Sequence, residues 1–151
     1  MKLEDITHRF RRPCIMDVKL GRRVWDDFAE QDKIDRETKK YPAQEIIGFR
    51  IIGMRVFNTK ENGYHFYDRM FGRNLLTADS AMQAVSKFFH NGSEQRTDVL
   101  HLMLDRLNVY LRWSENQTAF KLFATSLLLV YEGDCSQPIA KHTQHLSLIH
   151  I

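Results

Sequence analysis

The stretch Pro13-Cys14-Ile15-Met16-Asp17-Val18-Lys19-Leu20-Gly21 constrains this chain more than any other. Side chains alternate along a strand. Read as a strand, it puts Cys14, Met16, Val18 and Leu20 on one face, all apolar. Ile15, Asp17 and Lys19 share the other face. The first face suits a core. The second presents a carboxylate and an ammonium about 6.5–7 Å apart along the strand. On spacing alone, an Asp-x-Lys pair on a half-exposed strand reads as a solvated pair, and a wider pattern is needed to give it chemistry.

The chain has 151 residues, 43% hydrophobic and 27% charged, enough for one domain with a core. A net charge of +3 is too mild to indicate nucleic acid by itself, so the placement of charges matters more. Cys14 and Cys135 make neither a disulfide framework nor a ligand cluster. They fit a reducing, intracellular compartment, cytoplasm or nucleus. The longest apolar run, residues 127–131, is far short of a membrane span. Residues 1–10 alternate charged and apolar side chains and lack signal-peptide form.

After Gly21, residues 22–27 read as a loop. Residues 29–41 read as a helix of good formers stopped by Pro42. Lys33, Arg36 and Lys40 stand at i, i+3 and i+7 and share one helical face. That face is either solvated, salted by Asp32, Asp35 and Glu37, or a comb of cations for several phosphates. Residues 49–58 are rich in β-branched side chains and predict a strand. Asn62-Gly63 signals a hairpin whose return strand covers residues 64–71. Arg55 and Arg73 are either exposed charges or phosphate contacts. Thr77 can cap a helix over residues 78–90, and Thr97 the next, with Asp98 in its first turn. Val99, Leu100, Met103, Leu104, Leu107, Tyr110 and Leu111 keep a 3.6-residue rhythm and predict a core stripe. Residues 126–133 read as a buried strand. No Gly-x-x-x-x-Gly-Lys-[Ser/Thr] phosphate loop occurs.

The full pattern Pro-x-x-x-Asp-x-Lys-x-Gly at 13–21 resembles the signature of the inositol polyphosphate kinases, most nearly their multikinase branch. Gly48-Phe49, Gly53-Met54-Arg55-Val56, Phe71-Gly72-Arg73 and the block at 126–133 echo the same family. The resemblance implies an α+β fold, the large lobe of an inositol-phosphate kinase. Its antiparallel sheet is flanked by helices, distantly like protein kinases. It implies transfer of the γ-phosphoryl group of ATP, with Mg2+, to a hydroxyl of an inositol polyphosphate. Asp17 would orient groups near the reactive centre and the nucleotide, and Lys19 would bridge substrate and transferred phosphate. Glu4, Asp5 and Ile6 match the hinge that meets adenine and ribose. Lys33, Arg36 and Lys40 fall on positions that hold the inositol phosphate, and Arg69 lies near that pocket. Glu37 departs from the pattern, since the family usually has an amide there.

The resemblance also implies a small lobe ahead of the hinge, with a lysine for the ATP phosphates. A later Ile-Asp-Phe-type strand would carry the metal aspartate. Neither is in the sequence, so residues 1–133 are expected to be part of a longer kinase domain, inactive alone. Residues 134–151 are expected to be loop and tail. Leu146-Ser147-Leu148-Ile149-His150-Ile151 matches the translation of a common transposon-adapter sequence, which suggests an artefactual end. His142, His145 and His150 lack a carboxylate at ligand spacing and are not read as a metal site. Two other readings stand beside the kinase. One is a non-catalytic module that binds inositol phosphates or proteins. The other, ranked low because the aromatics sit in predicted cores, is a nucleic-acid binder.

Overall fold

The computed structural model describes residues 5–134 and the strand at 146–150. Its order is β1 (Pro13–Leu20), α1 (Gln31–Lys40), α2 (Gln44–Ile47), β2 (Phe49–Asn58), β3 (Gly63–Tyr67), α3 (Arg69–Arg73), α4 (Ala78–Phe88), α5 (Thr97–Asn116), β4 (Ser126–Glu132) and β5 (Leu146–His150). The strands form one antiparallel sheet in the order β3-β2-β1-β4-β5. The expected α+β architecture, an antiparallel sheet flanked by helices, is present, and the signature strand β1 is its centre.

The alternation in β1 decides which face is covered. Cys14, Met16 and Val18 are buried in one cluster with Ala84, Phe88 and Phe89 from α4 and its end, and Val99 and Met103 from α5. Across the sheet the cluster continues into Ile51 and Met54 of β2 and Leu127, Leu129 and Tyr131 of β4. Tyr131 is fully buried, packs edge-on to Phe88 and donates its hydroxyl proton to the Phe88 carbonyl. Gly21 ends the strand at φ +96°, a conformation glycine adopts without the Cβ penalty, which accounts for the last residue of the signature.

Four local readings are corrected. The return strand stops at Tyr67, not 71, because the Asp68 side chain accepts from the Phe71 amide and caps α3. Thr97 is not a cap. Arg96 takes that position, 5% exposed, with its guanidinium on Asp98 at 2.9 Å and on the Glu132 carbonyl at 3.2 Å. The helix start is thus organised by the Arg96–Asp98 ion pair, and the hydrogen bond from Arg96 to the Glu132 carbonyl ties it to β4. The stripe on α5 is core only in part. Val99 and Met103 are buried, Leu100, Leu107 and Tyr110 are partly covered, and Leu104 and Leu111 are exposed. Residues 146–150, read as tail, pair with β4 as an edge strand.

Thr77 caps α4 as expected, in a reciprocal capping box with Ser80. Gly72 holds α3 against β2, since a Cβ there would lie 1.8 Å from the Ile51 carbonyl oxygen. We therefore expect Gly72→Ala to destabilise the fold by about 3 kcal/mol or more, against about 1–2 kcal/mol for Tyr131→Phe. Urea unfolding of the two variants checks the order. A Gly72→Ala protein as stable as the parent would show that α3 docks otherwise.

Candidate active site

The outer face of β1 carries Ile15, Asp17 and Lys19, all half-buried. In the register of β1 with β2, Ile15 faces Arg55, Asp17 faces Gly53 and Lys19 faces Arg50. A β-bulge follows Asp17, where Val18 pairs with Ile51 and Ile52 is left over. Bulges re-aim side chains and recur beside functional sites. On the other side, Asp17 faces Leu128 and Lys19 faces Ser126 of β4.

Asp17 Oδ1 is shielded from solvent and accepts no hydrogen bond. Neither Asp17 nor Lys19 forms an ion pair among the described residues. This is not the solvated pair that spacing alone suggests. A buried polar atom without a partner costs about 1–3 kcal/mol, and such an atom calls for an explanation, often a missing partner.

Helix α1 buries no residue of its own. Its place is fixed at the ends. Lys33 Nζ pairs with Asp26 Oδ2 of the preceding loop at 3.0 Å. The C-cap residue Tyr41 is buried and donates its hydroxyl proton to the Leu75 carbonyl. So held, the helix brings Glu37 into electrostatic reach of Lys19 on β1. Glu37 accepts a hydrogen bond from Lys40, which, with Lys19 and Arg36 nearby, keeps its carboxyl below the usual range. Arg50 is 8% exposed, and its Nε has no partner. Burial first, and the neighbouring Arg73 and Arg69, lower its pKa, while Glu37 and Tyr41 oppose this.

The structure therefore gathers Lys19, Arg36 and Lys40 around Glu37, and sets Arg69 and Arg73 near Arg50, the cross-strand neighbour of Lys19. Lys33 sits on the same helix but is engaged by Asp26. Asp5 and Ile6 lie in a turn ahead of the Pro13 end of β1, and Glu4 lies outside the described residues. The exposed Asp5 carboxylate accepts from the Thr7 amide at 2.8 Å and the Thr7 hydroxyl at 2.7 Å, and the hydroxyl bond chiefly lowers its pKa. Arg50 escaped the sequence reading, because its immediate neighbours Phe49, Ile51 and Ile52 are apolar. Its visible signal was a charge on the same strand face as its cross-strand neighbour Lys19. Among the described residues no group of three or more His, Cys, Asp or Glu is placed to hold a metal, and no helix is long and apolar enough to cross a membrane.

Comparisons with known proteins bear on the family and the fold. Inositol polyphosphate multikinase of Mus musculus is 46% identical over 138 residues, covering 91% of this chain and 34% of that protein. The Homo sapiens multikinase is 44% identical, covering 91% and 33%. Inositol hexakisphosphate kinase 3 of Homo sapiens is 32% identical, covering 87% and 32%. The chain spans about a third of the length of these curated relatives. A solved inositol phosphate multikinase superposes with a TM-score of 0.83 at 26% identity, over 100% of this chain and 71% of that one. The S. cerevisiae multikinase, in complex with ADP and Mn2+, shares the fold with a TM-score of 0.76 at 22% identity, over 97% and 70%. The sequence profile of the inositol polyphosphate kinases matches residues 1–150. The chain belongs to the inositol polyphosphate kinase family.

Proposed function

We propose that the full-length protein transfers the γ-phosphoryl group of ATP to a hydroxyl of an inositol polyphosphate. The observation that carries this is the half-buried, unpaired Asp17 and Lys19 on the strand face next to α1's cations. Family membership and the relatives' names support the same reading, as does the ADP and Mn2+ complex of the S. cerevisiae multikinase.

The residues present fit a nucleotide with Mg2+. That ion commonly takes only one or two protein carboxylates and completes its shell with phosphate oxygens and water. Asp17, with its unpartnered oxygen, is the carboxylate available on this face. When bound, Mg-ATP supplies the phosphoryl group, and the ion offsets phosphate charge. The exposed, anionic Asp5 suits the hydroxyls of a ribose, and the backbone at Ile6 suits adenine. Lys19 places a cation between the two substrates and lowers the cost of bringing anions together. Arg36 and Lys40 hold phosphates that do not react, with Lys33 and Arg69 at the margins of the patch. Positioning and charge neutralisation make up most of phosphoryl-transfer catalysis.

Asp17→Asn and Lys19→Ala in the full-length protein should each lower kcat/KM at least about a hundredfold, ~2.7 kcal/mol of transition-state stabilisation. Folded variants with near-parental rates would remove the assignment. Arg36→Ala and Lys40→Ala should raise KM for the inositol phosphate about ten- to a hundredfold, with kcat and the KM for ATP nearly unchanged. Lys33→Ala should act more weakly because Asp26 already engages that lysine. Glu37→Gln should tighten binding, since it releases Lys40 and removes a like charge from the phosphates. Steady-state kinetics decide, and four unchanged KM values would return α1 to a solvated face. The 151-residue chain by itself should show no ATP-dependent turnover. A robust rate from purified chain would show that the metal aspartate and covering lobe are not required.

A further inference from the structure

Lys19 and Arg50 are direct cross-strand neighbours. Like charges in that position destabilise a sheet, and here the arginine is 8% exposed. Arg50 has no ion pair and no hydrogen bond among the described residues. Its guanidinium lies over the Tyr41 ring, 5.7 Å from the centroid. Arg69 and Arg73 of α3 add further positive charge from the β2 side. Glu37 approaches from α1, but it is already bonded to Lys40. A buried guanidinium between other cations needs an anion.

The space for one lies alongside. A cavity of about 390 Å³ is bordered by Arg22, Trp25, Glu37, Tyr41, Gln44 and Arg50. Gln44 is also buried. Its Nε2 donates to the Gly21 carbonyl at 2.6 Å, while its Oε1 accepts nothing. The cavity thus abuts the C-terminal end of α1 and the Lys19 end of β1. It offers a charged donor, a spare acceptor and two aromatic walls, which is chemistry for a phosphorylated polyol.

We propose that Arg50 is a substrate-holding residue, which with Lys19 receives a phosphate group of the inositol polyphosphate at the mouth of this cavity. The inference rests on the kinase reading and deepens it. It adds a contact on the sheet itself to those on α1, so the ligand is gripped from two walls. A substrate with phosphates on opposite sides of its ring gains most from this arrangement.

The test uses full-length protein with Arg50→Met, Arg50→Lys and Asp17→Asn. Inositol 1,4,5-trisphosphate is the probe in calorimetry without ATP, followed by steady-state kinetics. Arg50→Met should weaken binding of the probe about tenfold or more, and Arg50→Lys less. The KM for ATP should stay near the parental value, and kcat should fall less than affinity does. Without ligand, Arg50→Met should melt no lower than the parent, because it removes a like-charge neighbour of Lys19. Parental affinity in both Arg50 variants, with a lowered melting temperature for Arg50→Met, would make Arg50 a structural residue and overturn the proposal. In that case an inactive Asp17→Asn leaves the kinase reading standing. A parent that neither binds nor phosphorylates the probe, or an Asp17→Asn variant with full turnover, would sink the kinase reading and this inference with it.

Discussion

Hydrogen bonding along both edges of β1 fixes nearly everything else in the molecule. With β2 on one side and β4 on the other, the strand cannot rotate, and its two faces take opposite roles. Cys14, Met16 and Val18 must enter the core, so Asp17 and Lys19 must leave it. A slip of one residue would exchange the faces, burying two charges and exposing three apolar side chains. The packing that stabilises the fold and the register that positions the site are therefore one constraint. The buried Cys14 thiol shows its strength: desolvation raises its pKa, and its sulfur accepts from the Phe57 amide at 3.2 Å.

The site is assembled from elements with different kinds of support. β1 is held by ladders on both edges and by the core beneath. α1 has no buried residue and depends on Tyr41, the Lys33–Asp26 pair and electrostatics. Groups close to the proposed chemistry thus stand on the rigid part, while most groups proposed only to bind, Arg36 and Lys40 among them, stand on the more loosely attached helix; Arg50 on β2 and Arg69 on α3 are the exceptions. This division fits general expectation, since low-stability elements are the ones that adapt to ligands. Glu37 has a double part in it. It neutralises neighbouring cations in the ligand-free protein, and it opposes the anions that the patch is proposed to receive.

Much of this was legible in the sequence where one physical signal dominated. The alternation in β1, the Thr77 cap, the hairpin at Asn62-Gly63 and the helix ahead of Pro42 all rest on local sterics or local hydrogen bonds. The signals failed where tertiary partners decided. Arg96 starts α5 because Asp98 and the distant Glu132 carbonyl satisfy it, and nothing local distinguishes it from a surface arginine. The bulge beside Asp17 shifts the phase of β2, so Ile51 and Met54 both face the core, and simple alternation misplaces one of them. Asp68 looks like a strand residue until its side chain caps α3. Arg50 was hidden by its apolar neighbours. Its significance appears only when β2 is laid against β1 and two cations meet.

The pairing of β1 with β4 also has a temporal side. β2 and β3 follow β1 within a short span of chain, but β4 comes only after both long helices. Until then β1 has one open edge, and the apolar side chains of its inner face lack the cover of α4 and α5. A ribosome delivers residues at about 5–20 per second, so this exposed edge persists for seconds on each nascent molecule. Non-local strand pairing is slow to form, and open edges invite association with other chains. The central strand thus precedes every other described element in the chain and is among the last of them to be enclosed, which makes the interval before β4 arrives the period of its greatest exposure to misassembly.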